Sequence, residues 1–235
     1  MKIYGLQKMT LLDFPERVAC TVFLNGCDLR CPFCHNFELV NGTAEPVMDV
    51  EELLSFLKKR QGLLDGVAIT GGEPCLHRDL PDLIRGIREL GYAVKLDTNG
   101  LHPDMLESLI GDGLIGYAAM DIKNSPEKYA QTSGTESIDL DAVYRSIAIL
   151  MEGRIDYEFR TTAVKPFHET DDFVRIGEMI RGADRYFIQC FTDRDTVPYG
   201  NLSAPSPAEL AAYADIMKGY VKQVSIRGVD MEGGN

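Results

Sequence analysis

Three cysteines lie within eight residues, Cys27-Asp28-Leu29-Arg30-Cys31-Pro32-Phe33-Cys34. Thiolate sulfur is a soft, anionic ligand suited to zinc or to iron–sulfur clusters. Three thiolates on one tight loop can hold three irons of a cubane and leave the fourth iron open, unlike the four-cysteine ligation of an electron-transfer cluster. The same triplet fits a structural zinc whose tetrahedron is completed by His35 or a distant cysteine. No second C-x-x-C follows, which counts against zinc. Cys20 and Cys190 alternate with apolar neighbours and read as core residues, and Cys75, just after Pro74, reads as structural.

These thiols need a frame. Val18–Leu24 is a short, mostly β-branched run ending at Asn25-Gly26, the pattern of a buried strand. The unit then recurs. Helical spacing across Val50–Lys59 leads to Gly66–Thr70, Leu80–Leu90 to Tyr92–Asp97, and Pro103–Ile110 to Ile115–Ile122. Leu140–Met151 leads to Tyr157–Val164, Phe173–Ile180 to Tyr186–Phe191, and Pro207–Tyr220 to Val221–Ile226. Helices alternating with short apolar strands argue βαβ units and a parallel sheet. Polar or Gly-rich residues follow most strand ends, where a β/α barrel collects its chemistry. The expected fold is therefore α/β, a partial (β/α)6 TIM-like barrel. It is expected to form one domain over residues 1–235: a leader (1–17), a barrel core (18–200) and a C-terminal helix and strand (201–235).

Composition narrows the class. Lys and Arg number 24 against 36 Asp and Glu, a net charge of −12, the wrong sign for a general phosphate-backbone binder. No apolar run reaches the ~18 residues of a membrane span. The opening Met1-Lys2-Ile3-Tyr4-Gly5 lacks the pattern of a secretory signal, so a cytoplasmic location is expected, where six cysteines form no disulfide framework.

The segment Gly26–Asn36, following the first strand, resembles the signature loop of radical S-adenosylmethionine (SAM) enzymes. Thr70-Gly71-Gly72-Glu73-Pro74 resembles their second motif. Leu96-Asp97-Thr98-Asn99-Gly100 and Met120-Asp121-Ile122-Lys123 are similar to later strand ends of the glycyl-radical-enzyme activases, and Arg160–Pro166 to their fifth strand. The leader Gly5–Pro15 resembles the longer subgroup of anaerobic ribonucleoside-triphosphate reductase activating proteins. That subgroup carries Gly after the Pro where Glu16 stands here, so a local difference is expected in this loop.

The resemblance implies one 4Fe–4S cluster on Cys27, Cys31 and Cys34, its open iron chelating SAM, and reductive cleavage to a 5′-deoxyadenosyl radical. No cysteine lies between Cys34 and Cys75, so no further cluster is expected there. Gly71 and Gly72 would let backbone approach SAM, and Glu73 would accept from its ammonium. Phe33 would border the adenine or simply pack, and the His35 backbone would touch it. Lys123 would pair with the SAM carboxylate. Asp97, Thr98 and Asp121 complete the set, the two aspartates holding a monovalent cation; the plainer alternative is a salt bridge between Asp97 and Lys123. Arg160, Lys165, His168, Gln189 and Thr192 would line the adenosyl or peptide end of the cleft, or serve only as rim polar groups.

The implied activity is abstraction of a hydrogen atom from a backbone glycine of a partner glycyl radical enzyme under anaerobic conditions. The partner ranked first is an anaerobic ribonucleoside-triphosphate reductase, with a pyruvate formate-lyase-type target as the alternative. A flavodoxin or ferredoxin would supply the electron. A radical enzyme acting on a small molecule, such as a carboxydeazaguanine synthase, is one rival; a non-catalytic zinc-binding scaffold is another.

Overall fold

The computed structural model describes residues 1–229. Among the described residues ten strands run in chain order: β1 (Lys2–Ile3), β2 (Gly5–Thr10), β3 (Ala19–Leu24), β4 (Met48–Asp49), β5 (Gly66–Gly71), β6 (Ala93–Thr98), β7 (Tyr117–Asp121), β8 (Asp156–Ala163), β9 (Arg185–Cys190) and β10 (Gln223–Arg227). The described residues also form eight α-helices: α1 (Phe37–Asn41), α2 (Val50–Lys58), α3 (Leu80–Glu89), α4 (Pro103–Gly111), α5 (Tyr129–Ser133), α6 (Leu140–Met151), α7 (Thr170–Met179) and α8 (Pro207–Met217). No helix among the described residues is long and apolar enough to cross a membrane. Residues 230–235, the end of the expected C-terminal segment, lie outside the described residues.

The chain divides into two compact units. The first comprises Met1–Asp28, Asn36–Ala119 and Asp141–Tyr157; the second comprises Leu29–His35, Met120–Leu140 and residues from Glu158 onward. In the first, β3, β5 and β6 are parallel neighbours, registered Ala19↔Gly66 and Gly66↔Ala93. Val67, Ala68 and Ile69 of β5 are all fully buried, as befits a strand covered on both faces. Helix α3 buries Leu80, Leu83, Ile84 and Ile87, the i, i+3, i+4, i+7 stripe of a helix laid on a sheet. Asp49 starts α2 with a capping box, its side chain accepting from the Glu52 N–H while Glu52 accepts in return.

The leader forms a strand that its sequence did not announce. Only Thr10 of β2 is buried, so no alternation marked it, yet β2 pairs antiparallel with β3 at Gly5↔Phe23 and Leu6↔Val22. Glu16 takes φ +61°, the left-handed conformation that a glycine adopts without strain. The loop thus keeps a glycine's backbone with a bulkier residue on it.

In the second unit, β8, β9 and β10 are parallel neighbours, registered Phe159↔Tyr186 and Tyr186↔Val224. Phe159, Phe173, Tyr186 and Ile188 form the fully buried interior, and Phe173 stacks on Tyr213 at 4.1 Å. Ser206 caps α8 with Pro207 in its first turn, a helix start fixed locally.

Candidate active site

In the first unit, the loop leaving β3 and the loop leaving β5 interlock through their backbones. The Gly72 N–H donates to the Leu24 carbonyl at 2.9 Å and the Glu73 N–H to that of Gly26 at 2.7 Å. A Cβ on Gly71, whose φ is +122°, would stand 2.2 Å from the Leu24 oxygen, and one on Gly72 would stand 1.9 Å from the Gly26 oxygen. Both glycines are therefore demanded by the approach of chain to chain. Asn36 adds a strap, donating from Nδ2 to the Gly71 carbonyl at 3.0 Å.

Glu73 sits under this interlock, fully buried. Its Oε1 accepts from the Cys75 N–H at 3.0 Å and from Thr98 Oγ1 at 2.9 Å, and its Oε2 accepts from the Asn99 N–H at 2.6 Å. Burial pushes its carboxyl pKa up, while these three donors pull it back. The carboxylate thus ties the end of β5 to the end of β6, both of its oxygens engaged by the protein. Asp97, the residue before Thr98, leaves the strand on the opposite side and is taken by the ammonium of Lys95. Beyond the strand, Asn99 donates from Nδ2 to Asp28 Oδ1 at 2.7 Å and His102 Nε2 meets Asp28 Oδ2 at 2.9 Å.

In the second unit, the loop carrying Cys31 and Cys34 makes a tight turn, the Cys34 N–H donating to the Cys31 carbonyl at 3.1 Å. The Arg30 N–H donates to the Ser133 carbonyl at 2.9 Å, and a Cβ on Gly134 would stand 2.0 Å from the Arg30 oxygen. Phe33 is buried with its ring tilted against Phe167 at 6.1 Å and edge-on to His168 at 6.4 Å. His35 stacks on Phe191 at 5.8 Å and places Nε2 2.7 Å from the Thr192 carbonyl, which fixes the loop's end to the residues after β9.

Asp121, at the end of β7, meets Lys123 Nζ at 2.7 Å and the Arg160 guanidinium. Those two cations outweigh burial and hold its carboxyl well below the usual range; Asp121 in turn raises Lys123. Each of the two aspartates thus already carries a cationic side chain of the protein, and nothing in these contacts supports an added monovalent cation. Asp97 holds Lys95, and Lys123 holds Asp121.

The later residues divide. Lys165 pairs with Glu209 at 2.5 Å. His168 is buried, its Nε2 2.8 Å from the Lys123 carbonyl. Thr162 reaches Gln189 only at 3.5 Å.

None of the six cysteines forms a disulfide. Burial pushes Cys20 up to about 11 and Cys75 well above an ordinary thiol, so both are unreactive core groups. Cys31 is likewise pushed up to about 11 by burial, with the Lys123 ammonium pulling the other way. Among the described residues no three His, Cys, Asp or Glu side chains converge on one point, the arrangement of a tetrahedral zinc site. A cubane makes a different demand, one thiolate for each of several irons, and the three soft donors on one loop fit that group by their chemistry.

The family model described as the radical SAM superfamily matches residues 21–180. A protein of Methanocaldococcus jannaschii, named as a candidate glycyl-radical enzyme activating enzyme, is 31% identical over 237 residues, covering 97% of this chain and 96% of its own. A 7-carboxy-7-deazaguanine synthase of Hyperthermus butylicus is 43% identical, but over 83 residues that make up 35% of this chain and 34% of that protein. Among solved structures, Streptococcus suis SuiB superposes on 88% of this chain with a TM-score of 0.68 at 16% identity, the match spanning 48% of SuiB's length, a likeness of fold. The mostly parallel α/β sheet is that of the partial TIM-like barrel class shared with such structures. With its motifs in order at consecutive strand ends, its sheet and the family match over residues 21–180, the chain belongs to the radical SAM superfamily of enzymes.

Proposed function

We propose that the protein is a glycyl-radical-enzyme activase, with Cys27, Cys31 and Cys34 holding one 4Fe–4S cluster on a single domain. The observation that carries this reading is the likeness to the M. jannaschii protein, which runs nearly end to end, 97% of one chain on 96% of the other. When bound, the cluster and SAM supply the electron transfer and the carbon-centred radical that takes a hydrogen atom. The chain's own groups do the placing. Lys123, held by Asp121, offers a fixed ammonium to a carboxylate such as that of SAM. Phe33 and His35, locked against Phe167, His168 and Phe191, give the cysteine loop a rigid apolar flank where an adenine can lie. Gly71, Gly72, Glu73 and Thr98 set the strand-end backbone on which the ligand's polar end is read, with Asp97 flanking them; Arg160 acts through Asp121.

The substrate in this reading is a backbone glycine of a partner protein, first an anaerobic ribonucleoside-triphosphate reductase because of the leader Leu11–Pro15, then a pyruvate formate-lyase-type enzyme. A flavodoxin or ferredoxin of the cytoplasm supplies the electron. The test is anaerobic incubation of the reconstituted enzyme with dithionite, SAM and each partner. The expected result is a doublet electron paramagnetic resonance signal that disappears when the partner's glycine is changed to alanine. The 43% stretch favours a second reading, a small-molecule radical enzyme of the carboxydeazaguanine synthase kind. Release of 5′-deoxyadenosine driven by a small pterin or purine, with no glycyl signal from either partner, would replace the first reading with the second.

A further inference from the structure

The loop that follows β6 reaches the first cysteine of the signature loop. Asn99 Nδ2 lies 3.9 Å from Cys27 Sγ as well as 2.7 Å from Asp28 Oδ1, and Cys27 Sγ lies 3.8 Å from that same Asp28 oxygen. All of these residues belong to the first unit.

The orientation of the Asn99 amide is not arbitrary. Its Oδ1 accepts from the Leu101 N–H at 2.9 Å. Turning the amide over would set its NH₂ against that N–H and its oxygen against the Asp28 carboxylate, two like-with-like contacts. Its backbone is held as well, the Asn99 N–H bound to buried Glu73 at 2.6 Å. Asp28 is gripped from its other oxygen by His102 Nε2 at 2.9 Å. The result is an amide N–H donor within reach of a sulfur and a carboxylate fixed beside that same sulfur.

We propose that Asn99 and Asp28 are positioning residues that set the reduction potential of a cluster bound through Cys27, Asn99 by donating an N–H to its sulfur and Asp28 by the negative charge beside it. This rests on the reading of Cys27 as a cluster ligand. Hydrogen bonds to cluster sulfurs and nearby charge are among the levers that set such potentials. A donor to a thiolate favours the more negative, reduced state; a carboxylate beside it favours the oxidised state. The two residues therefore pull in opposite directions, and the balance is written into one pair of side chains.

The experiment is a spectroelectrochemical titration of the anaerobically reconstituted full chain, with iron and sulfide counted and folding checked by circular dichroism. Asn99→Ala is expected to keep its iron and to move the midpoint to lower potential. Asp28→Asn is expected to keep its iron and to move it higher, since the new amide still accepts from Asn99 and His102 can present its other tautomer. His102→Gln, which keeps a donor to Asp28 and touches no sulfur, should leave the midpoint where it was. Unmoved midpoints, shifts of the same sign, or loss of iron from both Asn99→Ala and Asp28→Asn would each overturn the proposal, the last by reducing the network to loop scaffolding. Full iron retention in Cys27→Ala would instead overturn the ligand reading itself, a separately visible outcome.

Discussion

Glu73, just beyond β5, and Asp121, the last residue of β7, are carboxylates near the C-terminal ends of two strands, and they are held by opposite means. Glu73 is fully buried and accepts from two backbone N–H groups and a threonine hydroxyl, with no ion pair on it among the described residues. Asp121 keeps about a quarter of its side chain exposed (26%) and is clamped between a lysine and an arginine. Burial raises the first pKa; cations lower the second. A neutral cage spends a carboxylate on shape, since its donors lie in the turn after β5 and at the end of β6. A charged clamp spends it on aiming cations, and one of those cations is Lys123. The first unit is thus built to fix a loop, and the second to present charge.

Removing one carboxylate and then the other separates these roles. Asp121→Ala should have the larger effect, leaving the Lys123 ammonium without its anion; uncompensated buried charge costs about 3–5 kcal/mol, and partial exposure places this case near the lower end. Urea unfolding measures it, and a cost under 1 kcal/mol would deny the clamp. Glu73→Gln should cost about 1–3 kcal/mol, because the amide keeps one acceptor oxygen but turns an NH₂ toward a backbone donor. Added salt should weaken the Asp121 contribution and leave that of Glu73 unmoved, since only the former is an ion pair with access to solvent.

Acid and base sharpen the contrast. Asp121 has a lowered pKa, so its contribution is present above the ordinary value of 3.8 and is lost as pH falls through the folded value. Glu73 has a raised pKa, so its contribution is full below the ordinary 4.5 and is lost as pH rises through the folded value. Wild type should therefore lose stability relative to Glu73→Gln as pH rises above 4.5, read from unfolding midpoints at several pH values; parallel curves would contradict it. The smallest effect belongs to Glu16. A non-glycine residue in the left-handed region costs roughly 1–2 kcal/mol, part of which glycine returns through its freer unfolded chain, so Glu16→Gly should stabilise by about 0.5–1 kcal/mol in the same assay.

What the sequence made legible follows from what repeats locally. Strands such as Gly66–Gly71 and helices such as Leu140–Met151 announced themselves, because burial on both faces or on one stripe leaves a period in the residues. The leader strand did not, since edge pairing through backbone leaves no such mark on Gly5–Thr10. The short helix Tyr129–Ser133 escaped for a similar reason, being only five residues. At the site, spacing pointed to the cysteines and to Gly71-Gly72-Glu73. It could not tell that Glu73 is enclosed by donors, that Asp97 turns to Lys95, or that Asn99 and His102 meet on Asp28, because partners 71 and 74 positions apart meet only in the fold.

The interlock at Gly71 and Gly72 bears on how such a chain could change over generations. Any side chain at either position would drive into the backbone at Leu24 or Gly26, so these glycines are required for the loops to close at all. A descendant that had given up its chemistry would still have to keep them. The thiols of Cys27 and Cys34 answer to no comparable backbone demand. Among drifting relatives of this chain, the cysteines would be the first letters to fall silent and the glycines the last, so a surviving glycine pair testifies to architecture and a surviving cysteine triplet to use.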